Sequence, residues 1–396
     1  MHSGAISPNR QLLPFTHSLS LDNPASSDSY LKTKVVISIV NLGLTLIYLA
    51  LLTFSSLKDP FISISSVAKN IYLQFLIFTF SIEVVFALVK FPLDYFAGFT
   101  IEHRFNLSTE TFRKWLFRKL KAALVGSVLG AALLIVFFFL LVRYPGRWWL
   151  LFAAFYFLFQ IAVAQLFPSV ILPMFYKLKP LSDNLLHDRL RALVERFGYK
   201  MAGVFSFDLS RETRKANAAM TGLGKARKII ISDTLIENFS AGEIEVVMAH
   251  ELGHLVKHHM IKGICVSGIT GLVGFYVMAR IYAGYASALT VPLSSLTAIP
   301  FLALLLTIFG IIAMPFGNFL SRRIEHEADV FAIANTGMRT EFAESMRKLG
   351  KLNLTPENPP AWIEKIFFSH PSIGARIKAA LSEESDRPED LTETAR

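Results

Sequence analysis

Six stretches of the chain are long and apolar enough to cross a hydrocarbon core, which takes about 20 helical residues. They run near 35–57, 71–93, 121–142, 148–176, 262–284 and 296–320. The fourth is overlong, and Pro168 and Pro173 predict a kink or break in it before Lys177. The pattern divides the chain into a polar N-terminal tail over 1–34, a transmembrane region over 35–178 with four or five spans, and a polar region over 179–260. A transmembrane hairpin over 261–320 and a polar region over 321–396, ending in an acidic tail, complete it. Within the first polar region, Leu185–Phe197 has the period of an amphipathic helix and Gly203–Phe207 reads as a short strand. Ala216–Met220 and Lys228–Ser232 read as paired strands joined by the Gly-containing turn Thr221–Arg227. Ser240 followed by Glu243 is a capping box, and it opens an apolar-periodic helix expected to run to about Met260.

Composition agrees with a membrane protein. The chain has 396 residues, 53% hydrophobic and 18% charged, with a mean hydropathy of +0.46 and 35 Phe. Soluble domains carry about 25% charged residues. Disordered, collagen-like and disulfide-rich secreted classes are excluded. The net charge of +10 comes from 40 Lys+Arg against 30 Asp+Glu, and in a membrane protein such an excess marks cytoplasmic loops. Six crossings put the 94–120 loop on the same side as both polar regions. That loop holds Arg104, Arg113, Lys114, Arg118 and Lys119, whereas the other side has Lys58, Lys69, Arg143 and Arg147. Both polar regions are therefore expected in the cytoplasm, where they can meet. No nucleic-acid motif is present, so no nucleic-acid partner is expected; the lipid bilayer is the surrounding partner. The single cysteine, Cys265, lies in an apolar stretch. It can build neither a disulfide nor a thiolate zinc site, so any metal must use His and carboxylate ligands.

The chemistry-bearing segment is His250-Glu251-Leu252-Gly253-His254, on the capped helix. Histidines four apart share one helical face and can hold one zinc ion. Glu251, one residue after the first, is placed to take a proton from water activated at the metal. His258 and His259 read as solvated histidines where the helix leaves the site. A catalytic zinc takes a third protein ligand and keeps one position open. The second polar region offers Glu325, His326 and Glu327, among which spacing alone does not choose; Glu325 and Asp329, four apart, share a face. In the spans, Lys90 and Arg280 lie close enough to the ends to snorkel, while Glu83 is deeper and is expected to face an interior chamber.

These residues resemble the membrane zinc metalloprotease family that includes the type I CAAX prenyl proteases. The resemblance runs from about Phe91 to Arg376. Its carriers are the segment 250–254, the Glu325–Asp329 pair after Ser321-Arg322-Arg323, and Ser369-His370-Pro371 with Arg376. Phe91-Pro92-Leu93, Ile101-Glu102-His103-Arg104-Phe105-Asn106, Lys215-Ala216-Asn217-Ala218 and Ile229–Leu235 carry it further. The resemblance implies a predominantly α fold, a polytopic membrane helix bundle enclosing a chamber. A cytoplasmic gluzincin-like zinc protease domain with a small β-sheet would cap it. It implies one Zn2+ per chain on His250, His254 and Glu325, with Asp329 orienting one of the histidines. Glu251 would be the general base, and His370 and Arg376 would stabilise the oxyanion. The strand holding Asn217 and Ala218 would bind the polypeptide substrate as an added strand. The implied substrate is a prenylated C-terminal CAAX peptide; the alternatives are quality control of unprenylated or stalled membrane polypeptides, or a transporter with structural zinc. The location implied is the endoplasmic reticulum membrane in a eukaryote and the inner membrane in a bacterium. Oligomeric state is not legible.

Overall fold

The computed structural model describes residues 24–222 and 227–382. The expected N-terminal tail up to residue 23, part of the Thr221–Arg227 turn and the acidic tail from residue 383 lie outside the described residues.

The first half of the chain is helical: α1 (Pro24–Phe54), α2 (Asp59–Ser65), α3 (Ile71–Tyr95), α4 (Ile101–Arg104), α5 (Phe112–Arg143), α6 (Trp148–Leu166) and α7 (Leu172–Phe175). The polar region follows with β1 (Leu178–Pro180), α8 (Asn184–Glu195), β2 (Gly203–Phe207), β3 (Ala218–Thr221), β4 (Lys228–Ser232), α9 (Asp233–Asn238) and α10 (Ala241–Val256). The chain then re-enters the apolar bundle through α11 (His259–Ala288) and leaves it along α12 (Ile299–Thr336), ending in α13 (Arg339–Asn353), α14 (Ala361–Phe367) and α15 (Ile373–Leu381). Among the described residues, six helices are long and apolar enough to span a membrane, the number read from the hydrophobic pattern. The first begins at Pro24, inside the stretch expected as tail.

Local chemistry explains the boundaries. The Asn70 side chain caps α3 by accepting from the N–H groups of Tyr72 and Leu73. The overlong fourth stretch loosens where its prolines predict: a π-helical turn at Phe167–Ile171 contains Pro168, and α7 carries Pro173 in its first turn. Ser240 and Glu243 form the full capping box at the start of α10.

In the bundle, the buried side chains gather at the end away from the polar domain. Phe75 stacks on Phe138 at 4.2 Å, and Phe137, Trp148, Phe152, Phe275 and Tyr282 pack around them. Helices in lipid gain nothing from hydrophobic exclusion, so close fit holds them. Gly274 shows this: a Cβ there would stand 2.4 Å from the Phe309 ring. Toward the polar domain, α3 from 79 to 95, α6 from 154 to 166 and α12 from 306 to 324 bury no side chain. The bundle is packed at one end and looser at the end facing the site.

The polar domain has a four-stranded sheet in the order β1-β2-β4-β3, with β2 and β4 parallel and the other pairings antiparallel. β3 is thus an edge strand. One core joins Leu190 and Val194 of α8, Ile229 and Ile231 of β4, Val246 and Leu252 of α10, and Phe342 of α13. The apolar part of α12 ends at Leu320, and the same helix continues into this domain, laying residues 325–333 along α10. The capped helix is shorter than its periodicity suggests: α10 stops at Val256, and His258, in the left-handed region at φ 55°, turns the chain into α11.

Candidate active site

His250 and His254 stand one turn apart on α10, and their Nε2 atoms face each other at 3.1 Å. Glu325, from α12, puts Oε2 3.2 Å from His250 Nε2 and Oε1 3.5 Å from His254 Nε2. Ligand atoms of the three residues all lie within 4.8 Å of one another. Glu325 Oε2 is buried and makes no hydrogen bond. A buried carboxylate oxygen without a donor, beside two converging imidazole nitrogens, has lone pairs aimed at one point. This set fits a divalent metal ion. Of the three candidates for third ligand, Glu325 is buried against the histidines, while His326 and Glu327 are exposed.

Each histidine has a polar neighbour at its other ring nitrogen. His250 Nδ1 lies 2.8 Å from Asp329 Oδ1. Asp329 in turn receives Arg376 in a forked pair, Nε to Oδ2 at 2.9 Å and Nη2 to Oδ1 at 2.6 Å. Burial alone would raise the Asp329 pKa, but Arg376 and His250 hold it down at about 2. Burial likewise works against charge on His250, yet the adjacent carboxylates of Asp329 and Glu325 push its pKa up to about 9 in the metal-free protein. His254 moves the other way, down to about 4, because of burial and the neighbouring His250. Its Nδ1 meets His259 Nδ1 at 3.0 Å. His259 is therefore not a solvated residue: it is buried, and only His258 is exposed.

Glu251 faces two cavities. One of about 520 Å³ is lined by Asn217, Ala218, His250, Glu325, His370 and Arg376. The other, about 260 Å³, lies beside Pro168, Met220, Thr221 and His254. Glu251 lines both. Burial pushes its carboxyl pKa up; the charge on His250 and the Met220 backbone N–H oppose the shift.

The edge strand runs between the cavities. Asn217 is turned toward β4, with its N–H on Ser232 Oγ at 3.0 Å and its carbonyl accepting from Ser232 N at 2.9 Å. Alternation then places the backbone groups of Ala218 and Met220 on the open edge. Ala218 thus presents main-chain groups along that edge, and Asn217 and Ala218 both line the larger cavity. Upstream, Lys215 ties the strand to the bundle: its Nζ donates to Glu102 at 3.1 Å and Tyr30 at 3.0 Å, and Lys34 also reaches Glu102, at 3.0 Å.

His370 brings Nε2 to 3.4 Å from Glu325 Oε1 and keeps its side chain 57% exposed at the cleft. Ser369 Oγ lies 2.9 Å from its Nδ1; with that hydroxyl donating, Nε2 carries the proton that faces the site. Two nitrogens of Arg376, Nε and Nη2, are engaged by Asp329 behind His250, while its side chain also lines the larger cavity.

Comparison with known proteins supplies the family. Residues 180–384 match the model of peptidase family M48. The chain belongs to peptidase family M48. Residues 7–177 match a second model, the CAAX prenyl protease N-terminal region with five membrane helices; α1, α3, α5 and α6 are the four spans among the described residues there. The chain is 28% identical over 324 residues to the uncharacterized metalloprotease YhfN of Bacillus subtilis, covering 79% of this chain and 75% of that one. It is 27% identical over 311 residues to CAAX prenyl protease 1 of Saccharomyces cerevisiae, covering 74% and 68%. The crystal structure of S. mikatae Ste24p has the same fold, with a TM-score of 0.81 at 22% identity over 93% of this chain and 91% of that one. This M48 protein is thus a multi-pass membrane metalloendopeptidase that binds a metal ion and acts on polypeptides. The transporter reading falls away.

Proposed function

We propose that the protein is a zinc-dependent endopeptidase that cleaves near the C-terminus of prenylated, CAAX-type proteins at the cytoplasmic face of its membrane. One observation carries this reading: an open strand edge passes Glu251 between two cavities, beside a helix bundle that parts toward the same place. A peptide can pair with the edge at Ala218 while an attached isoprenoid remains among apolar helices. The names of relatives, CAAX prenyl protease 1 in yeast among them, support it.

His250, His254 and Glu325 would hold the zinc ion, whose imidazole and carboxylate ligands suit it. Bound there, zinc supplies Lewis acidity toward water and the scissile carbonyl. Glu251 takes the proton of the attacking water and passes it to the leaving nitrogen. Its half-buried position, with raised pKa, favours that shuttling. His370 donates from Nε2 to the developing oxyanion. Arg376 acts through Asp329, fixing the ring of His250. The positive-inside bias of the 94–120 loop supports the cytoplasmic placement, which in a eukaryote means the endoplasmic reticulum and in a bacterium the inner membrane.

The test is cleavage of a farnesylated CAAX peptide and its unprenylated twin by the purified protein in detergent. Zinc-dependent cleavage of the lipidated peptide alone is expected. Equal cleavage of both would replace this substrate with general membrane-polypeptide proteolysis.

A further inference from the structure

We propose that His259, backed by Glu327, is the positioning residue for the metal ligand His254. The inference rests on His250, His254 and Glu325 being the metal ligands, and it adds two residues to that site.

His254 offers its lone pair from Nε2, the atom that faces His250 and Glu325. Its ring proton must then sit on Nδ1, which needs an acceptor. The only ring nitrogen facing it among the described residues is His259 Nδ1, at 3.0 Å. As His259 accepts there, its own proton is on Nε2, and that atom lies 3.1 Å from Glu327 Oε2. Lys262 Nζ holds the same oxygen at 3.0 Å. Every donor in the chain of three has one acceptor, and the tautomer of each ring follows. The arrangement mirrors the other ligand, where Asp329 and Arg376 stand behind His250.

The backbone is bent to achieve this. On a continuous helix the residue five after His254 would lie about 140° around the axis, out of reach of its ring. His258 takes a left-handed conformation, φ 55°, that interrupts the helix and returns His259 toward His254. His258 itself is exposed, whereas His259 is 4% exposed. A strained backbone beside a buried polar side chain is what a site-building turn requires.

The experiment measures zinc affinity of the full-length protein in detergent by competition with a chromophoric chelator. Wild type, His254→Ala, His259→Leu, Glu327→Leu and the double variant His259→Leu/Glu327→Leu are compared, with melting of each metal-free protein as a folding control. His259→Leu is expected to weaken zinc binding about 10–100-fold, Glu327→Leu less, and the double variant no more than His259→Leu alone. Such non-additivity identifies one connected chain, and independent destabilisation would add. Glu327 is half-exposed, so its variant folds and reads the relay even where His259→Leu does not. Wild-type affinity in the His259→Leu and Glu327→Leu proteins, with binding lost in His254→Ala, would overturn the relay and leave the ligand set standing. Unchanged binding in His254→Ala would overturn the ligand set itself.

Discussion

Gly253, between the two histidine ligands in sequence, sets how closely α10 lies on α12. A Cβ at this position would stand 3.0 Å from Phe331 Cδ1, 3.2 Å from Phe331 Cβ and 3.3 Å from Ala328 Cα. Carbon atoms prefer about 3.5–4.0 Å, so Gly253→Ala is short of room by about half an ångström. Phe331 cannot swing away, since it is buried against Phe197 with ring centroids 5.1 Å apart. Ala328 Cα is main chain and cannot yield alone. The two helices must therefore part, and His254 is the next residue after the contact. Metal–ligand distances tolerate about 0.2 Å, less than the expected parting. Overpacking costs about 1–3 kcal/mol, and replacing a helical glycine by alanine returns about 1 kcal/mol. The fold should lose about 0–2 kcal/mol, while zinc affinity falls at least about tenfold, or 1.4 kcal/mol. Chelator competition reads the second quantity, and melting of metal-free protein reads the first. Adding Phe331→Ala removes the closest of the three contacts, that with Cδ1, and should recover part of the affinity. A folded Gly253→Ala protein with wild-type zinc affinity would refute the argument that helix spacing builds the site.

Two further outcomes follow from the same geometry. Lys215→Met cuts the strand before Asn217 from Glu102 and Tyr30; for a pair whose lysine is a third exposed, about 1 kcal/mol of anchoring is lost. Peptidase assays should show KM raised several-fold with kcat nearly unchanged, and an unchanged KM would remove the network from substrate binding. The second concerns protons. In the metal-free protein His250 has its pKa pushed up to about 9, so it is charged at pH 7, whereas His254, at about 4, is already neutral. A metal ligand must be deprotonated, so loading near pH 7 releases about one proton from the histidines. Affinity should rise close to tenfold per pH unit between pH 6 and 8 and level off above about 9; isothermal titration in buffers of different ionisation enthalpy counts the proton. Affinity independent of pH over that window would contradict the charged state of His250.

The hydrophobic pattern shows the spans plainly, because a bilayer leaves few ways to place 20 apolar residues. The capping box and the β2 and β4 strands were equally legible, since local hydrogen-bond chemistry sets them. His259 was not. Its role depends on the left-handed turn at His258, and histidine carries no glycine-like signal for such a turn. For the same reason the extension of the capped helix to Met260 was too long by one turn. The third-ligand choice among Glu325, His326 and Glu327 needed the rotation of α12 about its own axis, which tertiary contact with α10 sets. Arg376 illustrates a different limit: a cation near a carbonyl site suggests an oxyanion role, and only the position of Asp329 shows where its fork points. Short β1 strand pairing at Leu178–Pro180 had no periodicity to reveal it.

The most direct test of the account is a side-by-side measurement of zinc content and peptide turnover in wild type and Glu251→Gln. The amide keeps the size of Glu251 but cannot accept the water proton. The account predicts one zinc ion per chain in both proteins and a turnover lower in the variant by about 10²–10⁴-fold. Retained turnover in Glu251→Gln, or the loss of its zinc, would contradict the assignment of Glu251 as the base beside a metal held by His250, His254 and Glu325.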